Sequence, residues 1–317
     1  MTSARPESSS RWCIVVADAA GPDWPVSDDI DAKWAPVQYC GLGEPTTMLQ
    51  KALHRAGRIS HSARVMVTAA EVHRSHWQHA LWFMPAEHRF VSESPGWSLL
   101  TTAAAVLSIA ARTPSALITI LPARCCVADE STVTLALHRA LLERRFLAEG
   151  ILTLGIIGFG VDEDYLVLRV PDDRPTVAVA FTAQRPTEWV AHDIVRRGGV
   201  VATGIYIATA NALASLLYRY WPILTDKILR HLKHSHVPGV ENRIAPALAQ
   251  EALRAASRPF WDRPTWLSLR AVRVANCGWS GLHSMRAIEQ IDSPQPNPLH
   301  LRCTELEYER LKHEHTN

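Results

Sequence analysis

Residues 13–27, CIVVA-DAAGPD-WPVS, decide the fold. Cys13 to Ala17 is a short, unbroken apolar run, the pattern of a strand buried on both faces. Asp18 to Pro45 is rich in Asp, Pro and Gly and reads as a loop. Thr46 or Thr47 can then cap a helix carrying Met48, Leu49, Ala52 and Leu53, with Gly57 as its stop. The same alternation continues outward. Further strands are expected at Arg64–Ala69, Ala116–Leu121, Ile151–Ile157, Tyr165–Val170, Thr176–Phe181, Val200–Ala208 and Leu269–Ala275. Between them fall a short helix from Ser75 that buries Trp77, Ala80 and Leu81, and an Ala-rich helix over Ser98–Ala111. A helix capped by Ser131 follows, then one over Thr187–Arg197 stopped by Gly198-Gly199, a mostly helical stretch to about Ala256, and a helix over Met285–Ile291.

Single strands separated by helices predict a parallel or mixed sheet covered on both faces. The neighbouring strands between 151 and 181 predict an antiparallel insertion into it. The expected architecture is a three-layer α/β/α domain over 11–291, preceded by a disordered N-terminus (1–10) and followed by a Pro-rich, charged tail (292–317).

The composition excludes several functions. With 33 Lys plus Arg against 31 Asp plus Glu, the net charge of +2 leaves no basic footprint for nucleic acid. The apolar stretch Leu99 to Leu121 is interrupted by Arg112, Thr113 and Pro114, so it predicts a helix and a strand rather than a membrane span. The opening MTSARPESSS lacks the apolar core of a secretory signal. Six cysteines with no CxxC do not make a disulfide framework. A cytoplasmic, reduced protein is expected.

Set in order, several short motifs resemble those of the sugar-phosphate nucleotidyltransferases, most of all the bacterial mannose-1-phosphate guanylyltransferases (GDP-mannose pyrophosphorylases). The family's signature AGGxGTRLWPLS has its echo in Ala17-Asp18-Ala19-Ala20-Gly21-Pro22-Asp23 and Trp24-Pro25-Val26-Ser27. Its PKQF resembles Pro36-Val37-Gln38-Tyr39, and its LLQ helix Met48-Leu49-Gln50. The segment ending LPADH is similar to Leu121-Pro122-Ala123-Arg124-Cys125. LGI matches Leu154-Gly155-Ile156, EKP lines up with Gln184-Arg185-Pro186, and WNSGIF with Val201-Ala202-Thr203-Gly204-Ile205-Tyr206. WSDxGSW is partly matched by Trp279-Ser280-Gly281-Leu282-His283-Ser284-Met285. The resemblance implies a Rossmann-like nucleotide-diphospho-sugar transferase fold with a mixed central sheet.

It also implies a chemistry: a sugar phosphate attacks the α-phosphorus of a nucleoside triphosphate and pyrophosphate leaves. Such a reaction needs close backbone amides, fixed cations and carboxylates that hold Mg²⁺. This chain departs from the pattern at those positions. The glycines after the first strand are Asp18 and Ala19, the Lys of PKQF is Val37, and the Asn of WNSG is Ala202. The Glu and Lys of EKP are Gln184 and Arg185. The metal-holding Asp of LPADH is Arg124, and that of WSDxG is Gly281.

The resemblance therefore implies a non-catalytic or catalytically impaired relative. No catalytic residue and no metal ligand is assigned, and Mg²⁺ is expected only if the family activity is kept. Substrate contacts are expected at the family-equivalent positions Ala17, Gly21, Gln38, Arg124, Arg185 and Gly204. Asp18 and Asp23 are expected to repel a triphosphate, and Arg124 with Arg185 to attract one phosphate group. The expected partner is a nucleotide or sugar phosphate, with a second copy of the chain or an active paralogue alongside. A non-enzymatic regulator of an active nucleotidyltransferase is the alternative.

Three further signals have plainer readings beside their functional ones. His231, His234 and His236 offer metal-ligand spacing, but Lys227, Arg230 and Lys233 make a solvated basic helix end the better account. Cys125 and Cys126 follow Arg124 and offer a reactive thiol, against a pair of buried small hydrophobes. The eleven tryptophans, Trp77, Trp82, Trp97, Trp189, Trp261 and Trp266 among them, read as core, boundary or interface residues.

Overall fold

A computed structural model describes residues 10–25, 34–93, 96–147, 150–169, 176–235, 239–249 and 269–292. The expectations for the N-terminus, Val26-Ser27, His236, Trp261, Trp266 and the C-terminal tail lie outside them.

The Cys13–Ala17 run forms strand β1 (Arg11–Val16), central in a mixed sheet. Side chains alternate across a strand, so β1 feeds two cores. Cys13 and Val15 face one, with Ala17 just beyond the strand; Trp12 and Ile14 face the other. The first face is covered by α1 (Met48–Ile59), α4 (Glu130–Ala140) and α6 (Glu188–Arg196). The second is covered by α3 (Ser98–Arg112), α7 (Ala210–Tyr220) and α8 (Pro222–Ser235). Further helices are α2 (Arg74–Trp77), α5 (Arg144–Leu147) and α9 (Met285–Asp292). The result is the expected three-layer α/β/α domain with a mixed sheet.

Alongside β1 lie β4 (Val65–Ala70) and β6 (Leu117–Pro122), both parallel to it, and β5 (Arg89–Ser92) extends the parallel side beyond β4 to the edge strand β11 (Asn242–Arg243). On the other side β10 (Val200–Thr209) runs antiparallel between β6 and β7 (Ile151–Ile156). β7 pairs in parallel with β12 (Leu269–Val274). An antiparallel pair, β9 (Thr176–Ala183) and β8 (Tyr165–Leu168), closes that side. β2 (Asp23–Pro25) and β3 (Trp34–Pro36) make a separate two-stranded ribbon.

Three expectations are corrected. The antiparallel insertion is β8 and β9 alone; β7, buried along its whole length, is an interior strand. Thr47 does cap α1, through a capping box with Gln50, but the helix runs past Gly57 to Ile59, because the glycine meets open space there and a single glycine costs only about 1 kcal/mol. Asp129, not Ser131, caps α4, its carboxylate accepting from the Ser131 and Thr132 N–H groups. The strand β5 lay unread because FVS is too short to show a period.

Candidate functional site

The chain leaves β1 toward β4 on one side and later adds β6 on the other. Helices cover opposite faces at that point, so a crevice opens beyond the carboxyl ends of β1 and β6. Two cavities lie there. The inner one, about 230 Å³, is lined by Val16, Ile120, Thr102, Gly204, Tyr206 and Trp279 among others. The outer one, about 680 Å³, is lined by Gly21, Arg124, Asp164, Arg185, His283 and Ser284 among others. Arg124, Asp164, Gln184 and His283 line both, so the two are adjacent.

The sequence-predicted residues divide between front and back. Gly21, Arg124 and Arg185 meet at the outer cavity, and Gly204 lines the inner one. Gly204 sits at φ +68 in the irregularity where β10 changes register, a backbone shape that strains any side-chain-bearing residue. Ala17 and Gln38 are buried behind the first loop and line neither cavity. Gln38 Nε2 donates to the Ala17 and Ala19 carbonyls at 3.1 and 3.2 Å, and Tyr39 Oη donates to Ala17 O at 2.9 Å. These side chains brace the loop from beneath.

Asp18 does not face a ligand. It is wholly buried, accepting from Thr68 Oγ1 at 2.6 Å and Thr101 Oγ1 at 2.7 Å, while its carbonyl accepts from Gly96 N. Burial raises its pKa above the usual carboxylate range, with the two threonines opposing. Its role is to tie β1, β4 and α3 together where the loop departs. Asp23 begins the β2–β3 ribbon and lines neither cavity. The expected triphosphate repulsion is therefore corrected for Asp18, whose carboxylate is buried between two hydroxyls, and Asp23 is not among the residues that line the crevice.

Arg124 is half-buried and bonded on both sides. Nη1 donates to Ala20 O at 2.5 Å and Nη2 donates to His283 Nδ1 at 2.9 Å. Behind His283 stands Glu163, whose side chain is fully buried: Oε1 accepts from Gly281 N at 2.5 Å and from Ser280 Oγ at 3.4 Å. Oε2 lies 3.5 Å from His283 Nε2. Burial pushes Glu163 up to about 7, and burial with the Arg124 charge pushes His283 down to about 4. Burial also lowers the Arg124 pKa, with Arg185 adding like-charge repulsion. Arg185 is exposed and turns at φ +35, its N–H donating to Asp164 Oδ1 at 2.9 Å. The two guanidinium groups line the same outer cavity and repel each other, and Asp164 lines it as well.

These residues do not fit Mg²⁺. A divalent cation near Arg124 would face a guanidinium where the resemblance places a carboxylate. A Cβ at Gly281 would stand 2.3 Å from His283 Nε2 and 2.8 Å from Glu163 Oε2, so a carboxylate at that position would need both side chains to move. Among the described residues no group of three or more His, Cys, Asp or Glu is placed to hold a metal ion. His231 is used otherwise, its Nε2 lying 2.6 Å from Arg243 O.

The thiol reading of Cys125 is also corrected. Its neighbour is Arg55, not Arg124, with Arg55 Nη1 donating to Sγ at 3.4 Å. Arg55 is itself buried in a two-pronged pair with Glu130. Burial outweighs that cation and raises the Cys125 pKa, leaving an unreactive thiol. Cys126 is raised by burial as well.

Glu163 and His283 are the site residues that sequence reasoning missed. His283 stood inside the quoted WSGLHSM echo, and a histidine closely following Trp-Ser-Gly was the one available signal. Nothing at Glu163 marks it.

No family model matches the chain, and no curated protein matches it. Solved structures do. A mannose-1-phosphate geranyltransferase from Thermus thermophilus superposes with a TM-score of 0.65 at 17% identity, over 90% of this chain and 80% of that one. A mannose-6-phosphate isomerase from Helicobacter pylori superposes with a TM-score of 0.60 at 12% identity, over 86% of this chain and 99% of that one. No helix among the described residues is long and apolar enough to cross a membrane. At these identities the likeness establishes architecture alone, and the architecture is the three-layer α/β/α fold of the nucleotide-diphospho-sugar transferases.

Proposed function

We propose that this protein is a diverged relative of the mannose-1-phosphate guanylyltransferases that binds a phosphorylated sugar or a nucleoside monophosphate and transfers no nucleotidyl group. The observation that carries the reading is the exchange of both metal-holding carboxylates: one position is Arg124, and the other is Gly281, where even a Cβ collides with His283. The phosphate sits in the outer cavity between Arg124 and Arg185, and the uncharged part of the ligand reaches the inner cavity beside Tyr206 and Trp279. Losing one electrostatic group from such a site costs a factor of about 10²–10³ in rate, and here several are gone together.

The test is calorimetric titration with mannose 1-phosphate, GMP and GTP, beside an assay for GDP-mannose formation from GTP and mannose 1-phosphate. Expected are weak, Mg²⁺-independent binding of a monophosphate, its loss in the Arg124→Ala/Arg185→Ala double variant, and no detectable product. Robust Mg²⁺-dependent turnover by pure protein would reject the reading.

A further inference from the structure

One side chain shapes the outer cavity, and its position is set from behind. Arg124 leaves the end of β6 and crosses the first loop, where Nη1 donates to Ala20 O. That path is open only because residue 21 is glycine: a Cβ there would stand 2.7 Å from Arg124 Nη1 and 2.9 Å from its Cδ. Nη2 donates to His283 Nδ1, and a guanidinium only donates, so Nδ1 accepts and neutral His283 carries its proton on Nε2. That N–H faces Glu163 Oε2, a buried oxygen with no hydrogen-bond partner among the described residues. Glu163 is fixed in turn by the Gly281 N–H, and the absence of a side chain at Gly281 leaves the space in which His283 and Glu163 meet. Two glycines, the partly buried His283 and the buried Glu163 thus hold one cation in one place.

We infer that Arg124, positioned by His283 and Glu163, is a built-in cation that takes the place of a divalent metal and makes the site select a phosphate monoester over a polyphosphate or a metal-complexed phosphate. The inference rests on the phosphate site proposed above and specifies how it is charged. A lone phosphate meets the guanidinium of Arg124, held on two sides, and that of the exposed Arg185 at the same cavity, with no metal required. A second phosphate resting on the first loop would need the space over Ala20 and Gly21 that Arg124 fills. A phosphate carrying Mg²⁺ brings a like charge toward both arginines and arrives already neutralised. Glu163, which lines neither cavity, is a positioning residue.

The experiment is calorimetry on the full chain with mannose 1-phosphate as probe, with and without MgCl₂, and with GTP as competitor. It is paired with hydrogen exchange of residues 17–22 in the absence of ligand. Wild type is expected to bind the monoester equally well or more weakly when Mg²⁺ is added, with GTP a poor competitor. Arg124→Ala should lose about tenfold or more in affinity, the cost of a charged hydrogen-bond donor. Arg124→Lys, which keeps the charge and loses the fork, should lose less than Arg124→Ala. His283→Ala and Glu163→Gln should weaken binding several-fold and speed exchange in 17–22, a loop to which they are joined by hydrogen bonds through Arg124. Thermal melts confirm that each variant is folded. Monoester binding that persists in Arg124→Ala, or unchanged exchange in 17–22, would overturn this inference and leave the proposed function standing; monoester binding that needs Mg²⁺ would overturn both. Failure of wild type to bind any phosphate monoester would remove the proposed function itself.

Discussion

Changing Glu163 or His283 singly is expected to uncover two pH dependences of stability, of opposite sign, that cancel in the intact protein. Burial raises Glu163 from 4.5 to about 7, while burial and Arg124 lower His283 from 6.5 to about 4. Between these limits the unfolded chain holds one proton on the pair, at the histidine. The folded chain also holds one, at the glutamate, so the counts match and the pair adds no slope to the stability. In Glu163→Gln only the histidine titrates. Its folded pKa is depressed, so the unfolded state binds the extra proton, and stability is lost as pH falls from 6.5 toward about 4. The gap corresponds to about 3 kcal/mol, trimmed to about 2 because the His283 side chain is 27% exposed and partly screened. In His283→Ala only Glu163 titrates. Its folded pKa is raised, so its contribution is fully present below 4.5 and is lost as pH rises through about 7. That side chain is fully buried and the change is about 3 kcal/mol. Urea denaturation of the wild type and both variants, at steps of about half a pH unit, reads the slopes directly. Changes in slope relative to wild type of the same sign in the two variants, or no change in either, would refute the reasoning.

Two other outcomes are expected. Asp18→Ala removes the acceptor of two buried hydroxyls, those of Thr68 and Thr101, and should cost about 3 kcal/mol in urea denaturation; a loss under about 1 kcal/mol would show that the carboxylate is not the tie between β1, β4 and α3. Returning carboxylates with Arg124→Asp and Gly281→Asp together should not yield Mg²⁺-dependent GDP-mannose formation, because the new Cβ meets His283 and Glu163, and isothermal titration with Mg²⁺ should show no site; a tight Mg²⁺ site would mean that His283 and Glu163 yield.

The framework was legible because its signals are local. Cys13 to Val16 is apolar throughout and is a buried strand, and Thr47 with Gln50 spells a capping box that the structure contains. Where a signal was local but ambiguous, boundaries slipped: Asp129 and Ser131 both suit an N-cap, and only the backbone decides between them. Direction was legible nowhere. A sequence gives the residue at each position but not where its side chain points, so Asp18 read as a charge facing the crevice, although it lies beneath the crevice between two hydroxyls.

The site shows the same limit in a sharper form. Substitution was visible in the sequence and compensation was not. Arg124 and Gly281 read as two independent losses of a carboxylate, yet in the fold they belong to one arrangement: the side chain absent at Gly281 leaves room for His283, and His283 holds Arg124. The carboxylate behind His283 is Glu163, bonded to the Gly281 N–H across 118 residues of chain. Buried polar groups cost free energy unless each finds its partner, so a cation and a carboxylate placed this close are expected to change together rather than singly. A crevice that had merely lost its metal would be left with unpaired charge. Here the guanidinium is bonded on two sides, the imidazole has one usable tautomer, and the remaining buried oxygen of Glu163 faces that imidazole. A connected set of this kind is the physical ground for reading Arg124 as part of a phosphate site and not as damage to one.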